Sequence, residues 1–346
     1  MSEEDKPFVD KVRIQNFGCV RDVTIELTRL HALIGPNDSG KSTVLNAILT
    51  AHDLVTFGQF QMAEQGKLDS RGVNGTQITL SVGDKTLVSH RDELQWQSSF
   101  SDAGLVQQQP ELAGLLDLIF PRKIAPLAAF LRWSPDVIRR PCALIPEGDP
   151  LVVGEHGEGL AAIYEAILSR DRDAFKNIEV GLKQHFPTIK AIWLPTSKTG
   201  QKELGVILND DTRVSAKTMS EGLLYWLAFA AIPHMEISNV LLIEEPENGL
   251  HPSRIAEVMA TLRAISAHTQ VILATHSPLV INELQPEEVT ILTRDNQSGT
   301  RATRMDRTKH FEQRQKVYAL GELWLSFADG DAEQALVADS VNVAAS

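Results

Sequence analysis

The sequence predicts an α/β fold, layered around a mainly parallel central sheet, with an antiparallel strand region at the N-terminal end and a helical insertion. Three observations carry that expectation. Short apolar runs at residues 30–34, 240–243 and 271–274 have the length and composition of buried strands. Stretches with helical spacing lie between and after them, as at residues 254–266, where Ile255, Val258, Met259, Leu262 and Ile265 recur on one face. Strands that alternate with helices in this way build layered sheets with parallel cores.

The elements follow in order. Residues 12–17 and 23–27 alternate with period two and read as half-buried strands. The run at 30–34 ends at Gly35, a turn follows, and residues 42–49 continue as a helix. Residues 77–82 and 85–89 suggest a strand pair joined at Gly83-Asp84. Residues 112–133 are apolar but broken by Pro121 and Pro126, which predicts two short helices. Helical faces follow at 160–169 and 174–186, a strand at 204–208, and a strongly apolar helix opening at Ser220. The expected division is the first half of the α/β domain over 1–52, an insertion lobe over 53–200 that is mixed α/β and then helical, the second half of the domain over 201–300 and a C-terminal extension over 301–346, basic and then acidic.

Composition narrows the class. With 43% apolar and 23% charged residues in 346, the chain is ordinary globular material. Its formal net charge of −12 argues against coating nucleic acid by bulk charge. Two cysteines, Cys19 and Cys142, cannot build a disulfide framework or a cysteine-rich zinc site by themselves, which fits a reducing compartment. The start, Met1 to Asp5, is acidic and lacks the order of a signal peptide. The longest apolar run, 223–232, falls short of the ~20 residues a bilayer needs. A soluble cytoplasmic protein is expected, with no membrane partner.

Gly35-Pro36-Asn37-Asp38-Ser39-Gly40-Lys41-Ser42 fits the phosphate-binding pattern G-x-x-x-x-G-K-S/T. Its glycines let backbone N–H groups wrap a phosphate closely, and the following helix presents its positive end to the anion. Lys41 supplies a point charge for the β and γ phosphates, and Ser42 offers a hydroxyl to Mg²⁺. Thr43 continues the motif into the helix. A second signal is the pair Glu244-Glu245 at the end of an apolar strand. One acid can hold Mg²⁺ while the next polarises an attacking water, although strands also end at solvated charged turns. His276, after the 271–274 strand, could touch a γ-phosphate or serve as a histidine at a turn. Ser220 is a good N-cap and Gly222 permits close approach, so this helix start could bind a phosphate or be a plain cap.

Taken in order, these segments resemble the ABC-type ATPases that act without membrane domains, the RecF-, SMC- and OLD-like members of the AAA family. Residues 11–18 resemble the N-terminal strand of that group, and Glu245 to Pro252 resembles the stretch that follows its double acid. The resemblance covers roughly 8–50 and 204–294. It implies a P-loop ATPase that binds ATP and Mg²⁺, with Lys41 and Ser42 in the Walker A roles. It gives Glu244 the Mg²⁺-side role, Glu245 that of catalytic base and His276 that of switch histidine. Residues 247–251 then match the D-loop, and Ser220 and Gly222 the signature. A head-to-tail ATP-bound homodimer is implied, in DNA maintenance or repair or in defence against phage, with a separate effector protein. Glu244 departs from the aspartate common in the group, and Glu221 stands where a glycine is usual. Gln95 and Gln97 are possible counterparts of the Q-loop glutamine.

The insertion is too short for the long coiled coil of SMC-like proteins, so a compact helical lobe is expected. Arg122, Lys123, Arg132, Arg139 and Arg140 cluster there, and Arg301, Arg304, Arg307, Lys309, Arg314 and Lys316 cluster later. Either group could contact phosphates of DNA or RNA, or be a solvated face. Asp329 and Asp331 invite comparison with the metal-binding acids of Toprim nucleases. The chain offers too few residues around them for that domain of ~100 residues, so the tail is expected to be acidic and able to dock on a partner through residues 320–325. Alternatives to a hydrolysing ATPase are a nucleotide-sensing module with negligible turnover and a metal-dependent nuclease.

Overall fold

The computed structural model describes residues 7–64, 72–83, 85–92, 95–102, 105–108, 128–236, 239–295, 299–308 and 319–325. The chain opens with β1 (Lys11–Phe17), β2 (Val20–Glu26), β3 (Leu30–Ile34) and α1 (Lys41–Glu64). Strands β4 (Gly72–Val82), β5 (Lys85–Asp92), β6 (Gln95–Asp102), β7 (Leu105–Gln108) and β8 (Ala128–Leu131) follow. Then come α2 (Pro135–Ile138), α3 (Leu160–Arg170), α4 (Arg172–His185), β9 (Ile189–Trp193), β10 (Gly205–Leu208), β11 (Arg213–Ser215) and α5 (Glu221–Ala231). The last stretch holds β12 (Val240–Glu244), α6 (Pro252–Ser266), β13 (Gln270–Thr275), α7 (Pro278–Asn282), β14 (Val289–Asp295), β15 (Gly299–Arg304) and α8 (Leu320–Leu325).

These elements divide between two compact units, one drawing on residues 1–129, 238–246 and 262–346, the other on 130–237 and 247–261. In the first unit, one sheet has the order β15-β14-β3-β13-β12-β8. Neighbours β14, β3, β13 and β12 run parallel. All residues of β3 and β13 are buried, which is why both read as continuous apolar runs rather than as alternating ones. The register aligns Leu33 with Ala274 and Ala274 with Glu244, so three strands end together at one edge. The second sheet is antiparallel, in the order β2-β1-β4-β5-β6-β7. Here one face is buried and the other solvated, as the alternation in β1 and β2 requires.

Several expectations shift. Helix α1 continues to Glu64, past the boundary at 52, and β4 pairs with β1 through Ile78 opposite Ile14. The hairpin at Gly83 forms as expected, with Val82 opposite Lys85. Of the two short helices expected over 112–133, residues up to 127 lie outside the described residues, and 128–131 form β8 instead. A short apolar run cannot distinguish the two states by its period, and an edge position in a sheet decided this one.

The second unit combines helices with the small antiparallel sheet β11-β10-β9. Its centre is α5, whose apolar run is buried nearly all round. The buried Tyr164 hydroxyl donates to the Leu227 carbonyl at 2.7 Å. Trp133 meets Phe229 edge-on, with ring centroids 6.0 Å apart. In the first unit, α8 docks on its own chain: Gly321 N–H donates to Asn282 Oδ1 at 2.7 Å. A Cβ at Gly321 would collide with the Pro278 carbonyl, so only glycine permits this approach. Asp329 and Asp331 lie outside the described residues.

Candidate functional site

The loop between β3 and α1 lies at the carboxyl edge of the parallel sheet, where open α/β sheets place their ligands. Gly35 takes φ +155°, and a Cβ there would run into the Leu292 carbonyl of β14 and lie 2.6 Å from Ser39 Oγ. Gly40 takes φ +105°, and a Cβ would stand 2.8 Å from Thr300 Oγ1. Both positions therefore demand glycine by backbone angle and by space. Thr300 Oγ1 donates to the Ser39 carbonyl at 3.0 Å, so the β14–β15 hairpin forms the bed of the loop. The Lys41 ammonium, almost wholly buried, donates to the carbonyls of Gly35 (2.6 Å) and Pro36 (2.9 Å).

The acids arrive from the neighbouring strands. Glu244 closes β12, and its carboxylate accepts a short hydrogen bond from Ser42 Oγ. Glu245 follows at φ +48°, and its N–H donates to the Ala274 carbonyl at 2.8 Å, which ties the turn to β13. Its carboxylate faces His276 Nδ1 at 3.3 Å. The Ser277 N–H donates to Thr275 Oγ1, which shapes the turn that presents the histidine. A cavity of about 640 Å³ opens here, lined by Asn37, Asp38, Gly40, Lys41, Ser42, Thr43, Glu244, Glu245 and Ala274, with Cys19 and Arg294.

The geometry thus brings together Gly35 to Thr43, Glu244, Glu245 and His276, all within the first unit. Ser220 and Gly222 lie in the second unit, where Ser220 Oγ accepts from Leu223 N–H at 3.4 Å as an N-cap. A Cβ on Gly222 would come within 2.9 Å of the Gly249 carbonyl, so the helix start and the 247–251 turn pack closely in that unit. Gln97 lies on β6 and is not among the described lining residues. Cys19, Leu292, Arg294 and Thr300 were missed by sequence reasoning. The first sits in a β1–β2 turn with no motif, and the others belong to a hairpin that reads as a polar, basic stretch.

The basic clusters are largely engaged where they are described. Arg139 pairs with Asp136 at 3.0 Å and donates to Ala216 and Met219 carbonyls. Arg304 pairs with Asp306 and Glu26, and Arg307 with Glu26. Arg122, Lys123, Lys309, Arg314 and Lys316 lie outside the described residues. Among the described residues no helix is long and apolar enough to cross a membrane.

The donor set fits Mg²⁺, a hard cation that takes oxygen ligands: the Ser42 hydroxyl and the Glu244 carboxylate already meet at one point. The cavity fits a phosphate chain, because the glycines leave space only backbone can use and a buried ammonium sits in the loop.

Comparison with known proteins agrees with the fold. Residues 157–282 match a family described as "AAA domain, putative AbiEii toxin, Type IV TA system", and residues 8–75 match one described as "AAA ATPase domain". An SMC head solved with the C-terminal winged-helix domain of ScpA superposes with a TM-score of 0.58 at 14% identity. The match covers 86% of this chain and 97% of that one. An Smc head with an extended coiled coil, bound to the C-terminal domain of ScpA from Pyrococcus furiosus, gives a TM-score of 0.50 at 14% identity, over 86% and 96%.

Proposed function

We propose that this chain acts as an ABC-type ATPase that binds Mg·ATP in the cavity above β3 and hydrolyses it, a reading supported by its fold and by its matches to AAA domains. The observation that carries the reading is the meeting of Ser42 with Glu244, and of Glu245 with His276, beside Lys41 at one sheet edge. Lys41 and the N–H groups of residues 38–43 hold the phosphates. Ser42 and Glu244 would hold Mg²⁺, which when bound neutralises charge on the β and γ phosphates. Glu245 accepts the proton of the attacking water. His276 orients that carboxylate through its Nδ1 and stands ready to meet the terminal phosphate.

Ser220 and Gly222 are proposed to complete the site held by a second copy, so that ATP closes two chains and hydrolysis releases them. An output in DNA maintenance or in defence against phage, through a separate effector, is proposed from the resemblance of the motifs to the ABC-type ATPases that act without membrane domains. Multiple-turnover phosphate release tests the reading. Glu245→Gln should keep ATP binding and slow turnover by roughly 10²–10⁴, the contribution of a general base. It should also migrate as a dimer with ATP in mass-resolved chromatography. Wild-type turnover in that variant would refute the role of Glu245. A wild-type protein that binds ATP without turnover would instead favour a nucleotide-sensing module.

A further inference from the structure

We infer that Arg294 is a second cationic contact for the phosphate chain of bound ATP. The inference rests on the ATP reading above and adds a residue that the P-loop motif does not contain. Strand β14 runs parallel to β3 with Ile291 level with Ile34, so its continuation travels alongside the phosphate loop. Leu292 backs Gly35, and two residues further on Arg294 reaches the cavity. Its side chain is exposed, and Nη1 stands 3.5 Å from the Asp38 carbonyl, at the outer limit of a hydrogen bond. That contact places the guanidinium at the loop and leaves it able to take a stronger partner.

Charge decides what that partner is. Among the described lining residues, Asp38, Glu244 and Glu245 are acidic, while Lys41 and Arg294 are the cations. Without Arg294, Lys41 alone would face three carboxylates and an incoming polyanion. A guanidinium is always charged and presents a planar fork that matches phosphate oxygens, whereas an ammonium acts as a point charge. The division of work is therefore a buried lysine inside the loop and an arginine at its rim.

Binding of Mg·ATP and Mg·ADP should be measured by calorimetry at two or more salt concentrations for wild type, Lys41→Ala, Arg294→Ala and Arg294→Lys. Arg294→Ala should weaken both nucleotides about tenfold, the scale of one charge-assisted hydrogen bond. It should also flatten the salt dependence of the affinity. Arg294→Lys should keep that salt dependence and recover part of the affinity. Its exposure means that the melting temperature without nucleotide should hold in both variants. Full ATP affinity in Arg294→Ala overturns the inference. So does a loss that leaves the salt dependence unchanged and that lysine does not rescue, because that pattern marks a structural role. If wild type itself binds no ATP, the reading of the cavity fails and this inference falls with it. If Lys41→Ala loses binding while Arg294→Ala does not, only the arginine assignment is wrong.

Discussion

Acidification should destabilise the first unit through two imidazoles that hold neutral in the fold. His31 is fully buried on β3, with Nδ1 3.1 Å from Thr28 Oγ1 and Nε2 2.9 Å from Thr290 Oγ1. Burial, with a smaller contribution from the charge of Arg304, pushes its pKa down to about 3. His52, buried in α1, is pushed down to about 4 by burial alone. Both folded values lie below the unfolded value of 6.5. Between those limits the unfolded chain binds more protons than the folded one, so stability is complete above pH 6.5 and is lost as pH falls. At pH 5 each histidine costs about 2 kcal/mol relative to pH 7.5, since one pKa unit is worth ~1.4 kcal/mol. Two together approach the whole stability of a marginal domain, ~5–15 kcal/mol. Denaturant unfolding at a series of pH values from 7.5 to 5 measures the effect. The variant His31→Gln should remove about one proton from the slope between pH 6 and 5, or ~1.4 kcal/mol per pH unit. An unchanged slope in that variant would refute the argument, whatever its stability at neutral pH. Because β3 and α1 carry the phosphate loop between them, ATP binding should fail over the same interval.

Other perturbations act more locally. Lys41→Ala should abolish the thermal stabilisation that ATP confers, which for wild type amounts to ~2.7 kcal/mol when ATP is at 100 times its Kd. Gly40→Ala should lose ATP binding while the protein stays folded, read by calorimetry and circular dichroism, because φ +105° and the Thr300 hydroxyl leave no place for a methyl group. Gly249→Ala should destabilise the second unit by roughly 1–3 kcal/mol in denaturant unfolding, since its φ of +68° is left-handed and its Cβ would press into the Tyr225 ring. Wild-type stability in Gly249→Ala would show that the turn relaxes at no cost.

Much of the site was legible because its residues sit where the pattern of burial changes. The apolar runs of β3, β12 and β13 are buried throughout, and each stops at or just before a residue of the candidate site: Gly35, Glu244, His276. Such transitions survive in a one-dimensional reading. The bed of the loop does not show in the same way. Gly299 to Arg304 reads as a solvated basic stretch, yet Gly299, Thr300 and Thr303 are buried and Thr300 binds the loop backbone. A polar residue becomes interior when it has a specific partner, and that partner is 261 positions away. Cys19 was invisible for a related reason, because its place in the cavity depends on the β1–β2 turn and not on any neighbour in sequence. The basic clusters mislead in the opposite direction. Arg304 and Arg307 look like an electrostatic footprint for nucleic acid, but Glu26, on a distant strand, and Asp306 absorb much of their charge.

The backbone at Glu245 shows what the fold gives up for this arrangement. At φ +48° the residue is left-handed, a conformation that costs an ordinary L-residue roughly 1–2 kcal/mol and that glycine or asparagine would adopt more easily. The N–H bond to Ala274 would form with any residue that can donate it, and the side chain is only partly shielded from solvent. What the left-handed turn does achieve is to set the carboxylate against His276 and in the wall of the cavity that also holds Lys41. Stability alone would select a different residue at 245. The proposed role of Glu245 in activating water would account for an acid held in strain beside this loop.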